Sequence, residues 1–223
     1  MTEGTDFLYP FIEGSERDTG ALLIDLAASA EAKAADSALL RATTLAAMAP
    51  LVTTIAGAMA ERFAAGGRLF TFGNGGSSTD AATLAGLFVA PPWGVSLPAR
   101  SLVTDSAVLT ALGNDVGFEL VFSRQLIAQS RPGDMAVGIS TSGNSANLIR
   151  AFAEARRRDV MTVGLAGYGG GSMALCADVD HCLVVPSDSV HRIQETQAAL
   201  GFALWSQVQV AIVGSHEARR ADG

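Results

Sequence analysis

The segment Ile139-Ser140-Thr141-Ser142-Gly143-Asn144-Ser145 constrains this chain more than any other. Met135 to Gly138, just before it, is an apolar run that reads as buried strand, and Ala146 to Arg158 after it reads as helix. A strand handing over to a helix through a tight turn is the repeating step of a parallel α/β sheet. The turn itself carries four hydroxyl side chains and an asparagine. One helix cap accounts for Ser145 or Asn144, but not for Ser140, Thr141, Ser142 and Ser145 together. The first turn of a helix offers unpaired N–H groups and the positive end of its dipole, so the segment is a predicted anion site suited to a phosphate monoester. It contains no lysine, so hydrogen bonds rather than a point charge would hold the phosphate.

A second loop repeats the pattern. Arg68 to Phe72 reads as strand, Gly73-Asn74-Gly75-Gly76-Ser77 follows, and Ser77 or Ser78 is expected to cap a helix reaching Val89. Further strands are expected at Arg100–Thr104, Met135–Ser140, Met161–Ala166 and His181–Val185. Helices are expected at Ser106–Leu112, Phe118–Gln129, Ser145–Arg158 and Ser172–Cys176. This alternation favours a parallel sheet covered on both faces, whose ligands bind beyond the carboxyl ends of the strands. Upstream, helical spacing covers Thr19–Lys33 and Leu39–Ala65, the second bent near Pro50 and ended by Gly66-Gly67. Val190 to His216 reads as one long closing helix, and Met1 to Glu16 as an extension across a neighbouring surface.

Composition narrows the function classes. The 223 residues are 49% hydrophobic and 17% charged, with a net charge of −7, which argues against a nucleic-acid face. Arg156-Arg157-Arg158 is the one basic cluster, placed where cations complement a helix C-terminus. No stretch reads as a clean transmembrane helix, and the acidic N-terminus lacks a secretory n-region. Two cysteines, Cys176 and Cys182, without CxxC spacing fit a reduced, cytoplasmic protein.

Read in order, Gly73-Asn74-Gly75-Gly76-Ser77, Gly113-Asn114-Asp115, Gly138 to Ser145 and Arg192-Ile193-Gln194-Glu195 resemble the sugar isomerase (SIS) domain, on its phosphoheptose (sedoheptulose 7-phosphate) isomerase branch. The resemblance spans about Leu39 to Val213. It implies a three-layer α/β/α sandwich with a five-stranded parallel sheet, N-terminal helices and a long C-terminal helix. It divides the chain into an N-terminal extension and helix (1–38), an SIS domain (39–217) and a disordered tail (218–223). Ser140, Thr141, Ser142 and Ser145 would bind phosphate, and Asn74, Gly75, Ser77, Asp115 and Gln194 the sugar. For Asp115 a turn or helix cap competes with that role, and for Gln194 a solvated helix position. The family also implies a homotetramer with sites between subunits; the charge and the apolar pattern given above imply no direct nucleic-acid partner and no membrane partner.

The family's helix after the glycine loop resembles His-x-x-x-Glu, and its last helix a Gln followed eight residues later by a His. Here those positions hold Thr83, Leu87, Gln194 and Phe202. Aldose–ketose isomerisation needs a group that moves a carbon-bound proton, and Thr83, Leu87 and Phe202 supply none, nor a zinc ligand. Glu195, Asp188 and His191 are the alternatives, Glu195 foremost; Glu195 also reads as first-turn dipole complementarity and His191 as an exposed helix-start residue, and those readings are the favoured ones. His181 and Cys182 alternate across a strand and make a poor ligand pair. No metal and no cofactor are expected. A dinucleotide site fails on Ser78, which stands where a third glycine belongs, and Schiff-base chemistry on Lys33, the chain's one lysine, far upstream. Three readings remain: a phosphosugar-binding protein, an isomerase with relocated acid–base groups, and a non-catalytic partner-binding regulator resembling the DnaA initiator-associating protein.

Overall fold

The computed structural model describes residues 19–221. The roles expected of Met1–Glu16 and of residues 222–223 fall outside that range. The chain divides into two compact units, 1–39 and 40–223. Helix α1 (Thr19–Ala64) is followed by β1 (Leu69–Gly73), α2 (Gly76–Val89), β2 (Ala99–Ser101) and α3 (Ser106–Asp115). A 3-10 turn (Phe118–Leu120) leads into α4 (Val121–Gln129), then β3 (Met135–Ser140) and α5 (Ala146–Arg157). The chain continues through β4 (Met161–Gly167), α6 (Gly171–Leu175), β5 (His181–Val185) and α7 (Val190–Ala221).

Strand order is β2-β1-β3-β4-β5 and every pairing is parallel. The expected fold class, a five-stranded parallel α/β sandwich, is therefore the observed one. On β3, Met135, Val137 and Ile139 face a core shared with Val52, Ile55 and Met59 of α1, α2 and Ile193, Leu200 and Trp205 of α7. Ala136 faces the other core, with Phe70, Phe72, Phe122, Leu148 and Phe152 beneath α4 and α5. Period-two alternation divides one strand between two layers, which is why it reads as continuously apolar.

Some boundaries differ from expectation. The two N-terminal helices are one, because Ala34, Ala35 and Ala38 bridge them with strong helix formers, and the helix continues through Pro50. Helix α2 begins earlier than a serine cap would set it. Its N-cap is Gly75, Ser77 is buried inside the first turn, and Ser78 Oγ donates to the Gly75 carbonyl. Helix α7 extends through residues 218–221, assigned to a tail by sequence. Leu22–Ala64 and Val190–Gly214 are each long and apolar enough to cross a membrane by length and composition, against the sequence reading. In α7 that apolarity serves the core, where Ile193, Leu200, Leu204, Trp205 and Val208 are buried.

Candidate functional site

Sheet order reverses between β1 and β3, the place where open parallel sheets hold ligands. Gly73, the last residue of β1, pairs in register with Ile139, so the glycine loop and the hydroxyl turn leave the sheet side by side. The two are tied by a reciprocal amide pair. Asn74 Nδ2 donates to Asn147 Oδ1 and Asn147 Nδ2 donates to Asn74 Oδ1, both at 2.9 Å. Asn147 Oδ1 also accepts from Leu148 N, anchoring the start of α5.

The turn after β3 is built from its hydroxyls. Ser140 Oγ lies 3.0 Å from Ser145 Oγ and 3.4 Å from Ser142 Oγ, and accepts from the Gly143 N–H at 3.1 Å. Ser142 Oγ accepts from Asn144 N. Ser145 is the N-cap of α5, yet its side chain makes no cap hydrogen bond. The explanation that consumes this hydroxyl as a cap does not hold; Leu148 N is met by Asn147 Oδ1 and the Ser145 carbonyl, and the N–H groups of Ala146 and Asn147, ahead of it in the first turn, receive no side-chain cap. Gly143 has φ +66, and a Cβ there would strike the Gly170 carbonyl, so the turn is locked against the loop after β4. Asn144 Oδ1 completes the lock by accepting from Ser172 N and Oγ, both at 2.8 Å.

Helix α7 closes the site from the side. A Cβ on Gly76 would collide with Gln194 Nε2, so glycine is what lets this side chain lie over the loop. One turn on, Gln197 is fully buried and its Nε2 donates to the Ser140 carbonyl at 3.3 Å. Asn74, Ser77, Ser140, Thr141, Ser142, Ser145 and Gln194 thus gather around the ends of β1 and β3, with Gly75 exposed at the loop's tip. Asp115 stands apart: it ends α3 and is exposed, with Asn114 Nδ2 donating to it at 2.8 Å.

Beside the turn, between α2 and α7, is a small cavity of about 40 Å³. Thr83, Leu87 and Phe202 line it together, with Ile139 as the neighbour of Ser140. Phe202 packs on Trp205 with ring centroids 5.2 Å apart, and Trp205 packs on Trp93 at 5.1 Å. Glu195 is exposed and does not line this cavity, and Asp188 and His191 are exposed too. Sequence reasoning passed over three residues here: Asn147, Gln197 and Asp80. Asp80 lines the cavity, and burial raises its pKa above the ordinary 3.8. The available signal was helical spacing, since Asp80, Thr83 and Leu87 share one face of α2, and Gln194 and Gln197 one face of α7. Burial also pushes the Cys182 thiol up to about 11, so it is no thiolate nucleophile near neutrality. Among the described residues no group of three or more His, Cys, Asp or Glu is placed to hold a metal ion.

Comparison with known proteins places this geometry. The SIS domain model matches residues 34–167. A phosphoheptose isomerase of Solidesulfovibrio magneticus is 48% identical over 162 residues, 70% of this chain and 76% of that protein. One from Aneurinibacillus thermoaerophilus is 42% identical over 185 residues, covering 82% and 87% of the two chains. Among solved structures, the phosphoheptose isomerase of Neisseria gonorrhoeae superposes with a TM-score of 0.77 at 37% identity, covering 82% of this chain and 98% of the other.

Proposed function

Because the chain belongs to the SIS (sugar isomerase) domain family, on its phosphoheptose isomerase-like branch, we propose that it binds a phosphorylated sugar at the ends of β1 and β3. Ser140, Thr141, Ser142 and Ser145 hold the phosphate, together with the first N–H groups of α5. Asn74, Gly75, Ser77 and Gln194 meet the sugar, and Asp115 does so by resemblance alone. The observation that carries this reading is the N-cap Ser145, whose hydroxyl is turned to Ser140 rather than spent on its own helix.

The family's metal and acid–base positions are replaced in this proposal. Zinc takes imidazole, thiolate or carboxylate ligands. Thr83, Leu87 and Phe202 present a methyl-bearing hydroxyl, an isobutyl group and an aromatic ring, and their cavity is otherwise lined by Leu84, Ile139, Ala198 and Gly201, with Asp80 its one carboxyl group and Gln197 its one amide. That donor set does not fit a zinc ion, and no chemical step is assigned to one. The protein is then a ligand-binding member of the branch. Asp80 favours a second reading, an isomerase with relocated chemistry, because it is the cavity's one carboxyl group and burial makes it a stronger base than an ordinary aspartate.

A homo-oligomer, by resemblance a tetramer, is part of the same proposal. Leu22, Leu23, Ile24 and Leu26 of α1 and Phe202, Val210 and Val213 of α7 are exposed, more apolar surface than a lone helix face ordinarily shows to water. A reduced, cytoplasmic setting is proposed from the two free cysteines.

The test is thermal stabilisation and turnover measured with sedoheptulose 7-phosphate, with and without added zinc. A raised Tm without turnover in either condition is the expected result. Turnover abolished by Asp80→Asn supports relocated chemistry, and turnover abolished by Glu195→Gln moves that role to Glu195. No stabilisation by any sugar phosphate overturns the ligand reading and leaves a partner-binding role.

A further inference from the structure

Among the described residues, the buried side-chain polar atoms without a hydrogen-bond partner are Thr44 Oγ1, Arg62 Nε, Asp80 Oδ2, Gln197 Oε1 and Trp205 Nε1. Asp80 and Gln197 belong to the cavity beside the phosphate turn. Arg62 is the one cation of the five, and it stands at the opposite end of the sheet. There it lines a cleft of about 370 Å³ where β4 and β5 begin, together with Arg156, Asp159, Asp180, His181 and the buried Val160 and Met161. That volume falls within the range of small-molecule sites, about 300–1,000 Å³. Strand β4 has seven residues, so the cleft lies about 20 Å from the phosphate turn and shares no residue with it.

Two groups in this cleft are uncommitted. A guanidinium stays charged, so an Nε buried without an acceptor is costly unless something supplies one. Arg68, at the amino end of β1, shows the usual solution: its Nη2 donates to Asp134 Oδ2 at 2.8 Å and to the Gln129 carbonyl at 2.7 Å. Arg62 has no such partner, because Asp180 is already spent. Asp180 Oδ1 accepts from Arg156 Nη1, and its Oδ2 accepts from Thr162 N at 2.8 Å and from Thr162 Oγ1 at 3.1 Å. The second group is Asp159, which forms no ion pair among the described residues. It follows the last turn of α5 with φ +57, where glycine is the usual choice, and sets a negative charge at the negative end of that helix. Local preference is overridden twice to keep a carboxylate there, as happens at binding sites.

We propose that the cleft is a second ligand site, for an amino-acid-like zwitterion. Its carboxylate takes the planar donor fork of Arg62, and its ammonium group meets Asp159. Its hydrocarbon part rests on Val160 and Met161. One uncommitted cation and one uncommitted anion match a ligand of zero net charge, whereas a phosphate dianion would bring excess negative charge toward Asp159 and Asp180.

This site does not depend on the sugar-phosphate reading, and neither does its test. The full chain is titrated with L-leucine and with 6-aminohexanoate, two spacings of carboxylate and ammonium, at fixed pH and ionic strength. The readout is the imidazole NMR signal of His181, which lines the cleft and is assigned by its loss in His181→Gln. At least one zwitterion is expected to shift that signal saturably, about 10-fold or more tighter than its deaminated counterpart, 4-methylpentanoate or hexanoate. Arg62→Gln is expected to weaken the zwitterion about 10-fold or more, and Asp159→Ala to bring it to the level of the deaminated acid. No saturable shift with either zwitterion overturns the inference in the wild type alone. Equal binding of zwitterion and deaminated acid overturns it too, as does an affinity untouched by Arg62→Gln.

Discussion

The two ends of β3 carry similar amounts of polar chemistry and use it in opposite ways. At the amino end Asp134 is fully buried and saturated. Its carboxylate accepts from Arg68 N at 2.8 Å, Arg68 Nη2 at 2.8 Å and Arg131 N at 2.9 Å. Six residues on, the hydroxyls of Ser140, Ser142 and Ser145 bond chiefly to one another, the N-cap of α5 is left undone, and two acceptors nearby have no donor. The first end is finished within the chain and holds β3 to β1 and the α4–β3 loop. The second is left for something else to finish. Hydroxyls bonded mainly to one another beside two unpaired acceptors set this end apart from the amino end and agree with what its motifs indicate.

That contrast can be broken by substitution. Asp134→Ala removes the buried partner of an ion pair whose arginine is partly exposed and strands the backbone N–H groups of Arg68 and Arg131, and is expected to cost about 2–5 kcal/mol, read as a lower urea midpoint with m unchanged. Gly143→Ala forces a side chain into positive φ against the Gly170 carbonyl. Its expected cost is about 1–3 kcal/mol, with phosphate affinity lost alongside because the turn itself must move. The double change Ser142→Ala plus Ser145→Ala is expected to alter stability by less than about 1 kcal/mol, since Ser145 Oγ caps no N–H and Ser142 Oγ accepts only from Asn144 N, which is exposed and can turn to water. A loss as large as that of Asp134→Ala would erase the distinction between the two ends.

The smallest effect has the opposite sign. Burial raises Asp80's pKa above 3.8, so the folded chain keeps that proton to higher pH than the unfolded chain does. Stability then falls as pH rises through the folded pKa. Asp80→Asn removes this penalty and is expected to raise Tm slightly at pH 7, the difference from wild type closing as pH drops below 3.8. Paired scans at pH 7 and pH 3.5 decide it, and a lower Tm at pH 7 would place Asp80 among the finished groups.

Where the signal is local, the sequence already shows the structure. The bounds of β3 and β5 are legible to the residue, because an apolar run between turn-forming residues needs no distant information. The hydroxyl turn is legible for the same reason. The unbroken α1 is less so, since its alanine-rich bridge has no apolar stripe and only propensity joins the halves. Asp80 and Gln197 lie more than a hundred residues apart on α2 and α7, and nothing within either helix signals that they share a cavity. Their importance is a missing hydrogen bond, a property of packed coordinates. Thr83, Leu87 and Phe202 were singled out by resemblance, and their placement on one cavity wall follows from α2 packing against α7.

Calorimetric titration of sedoheptulose 7-phosphate and of unphosphorylated sedoheptulose into wild type and the Ser142→Ala plus Ser145→Ala variant probes the phosphate turn most directly. The wild type should bind the phosphorylated sugar alone, and the variant should bind it roughly 10–100-fold more weakly while melting at nearly the wild-type temperature. Equal affinity of wild type and variant for the phosphorylated sugar would contradict a phosphate seat at the end of β3.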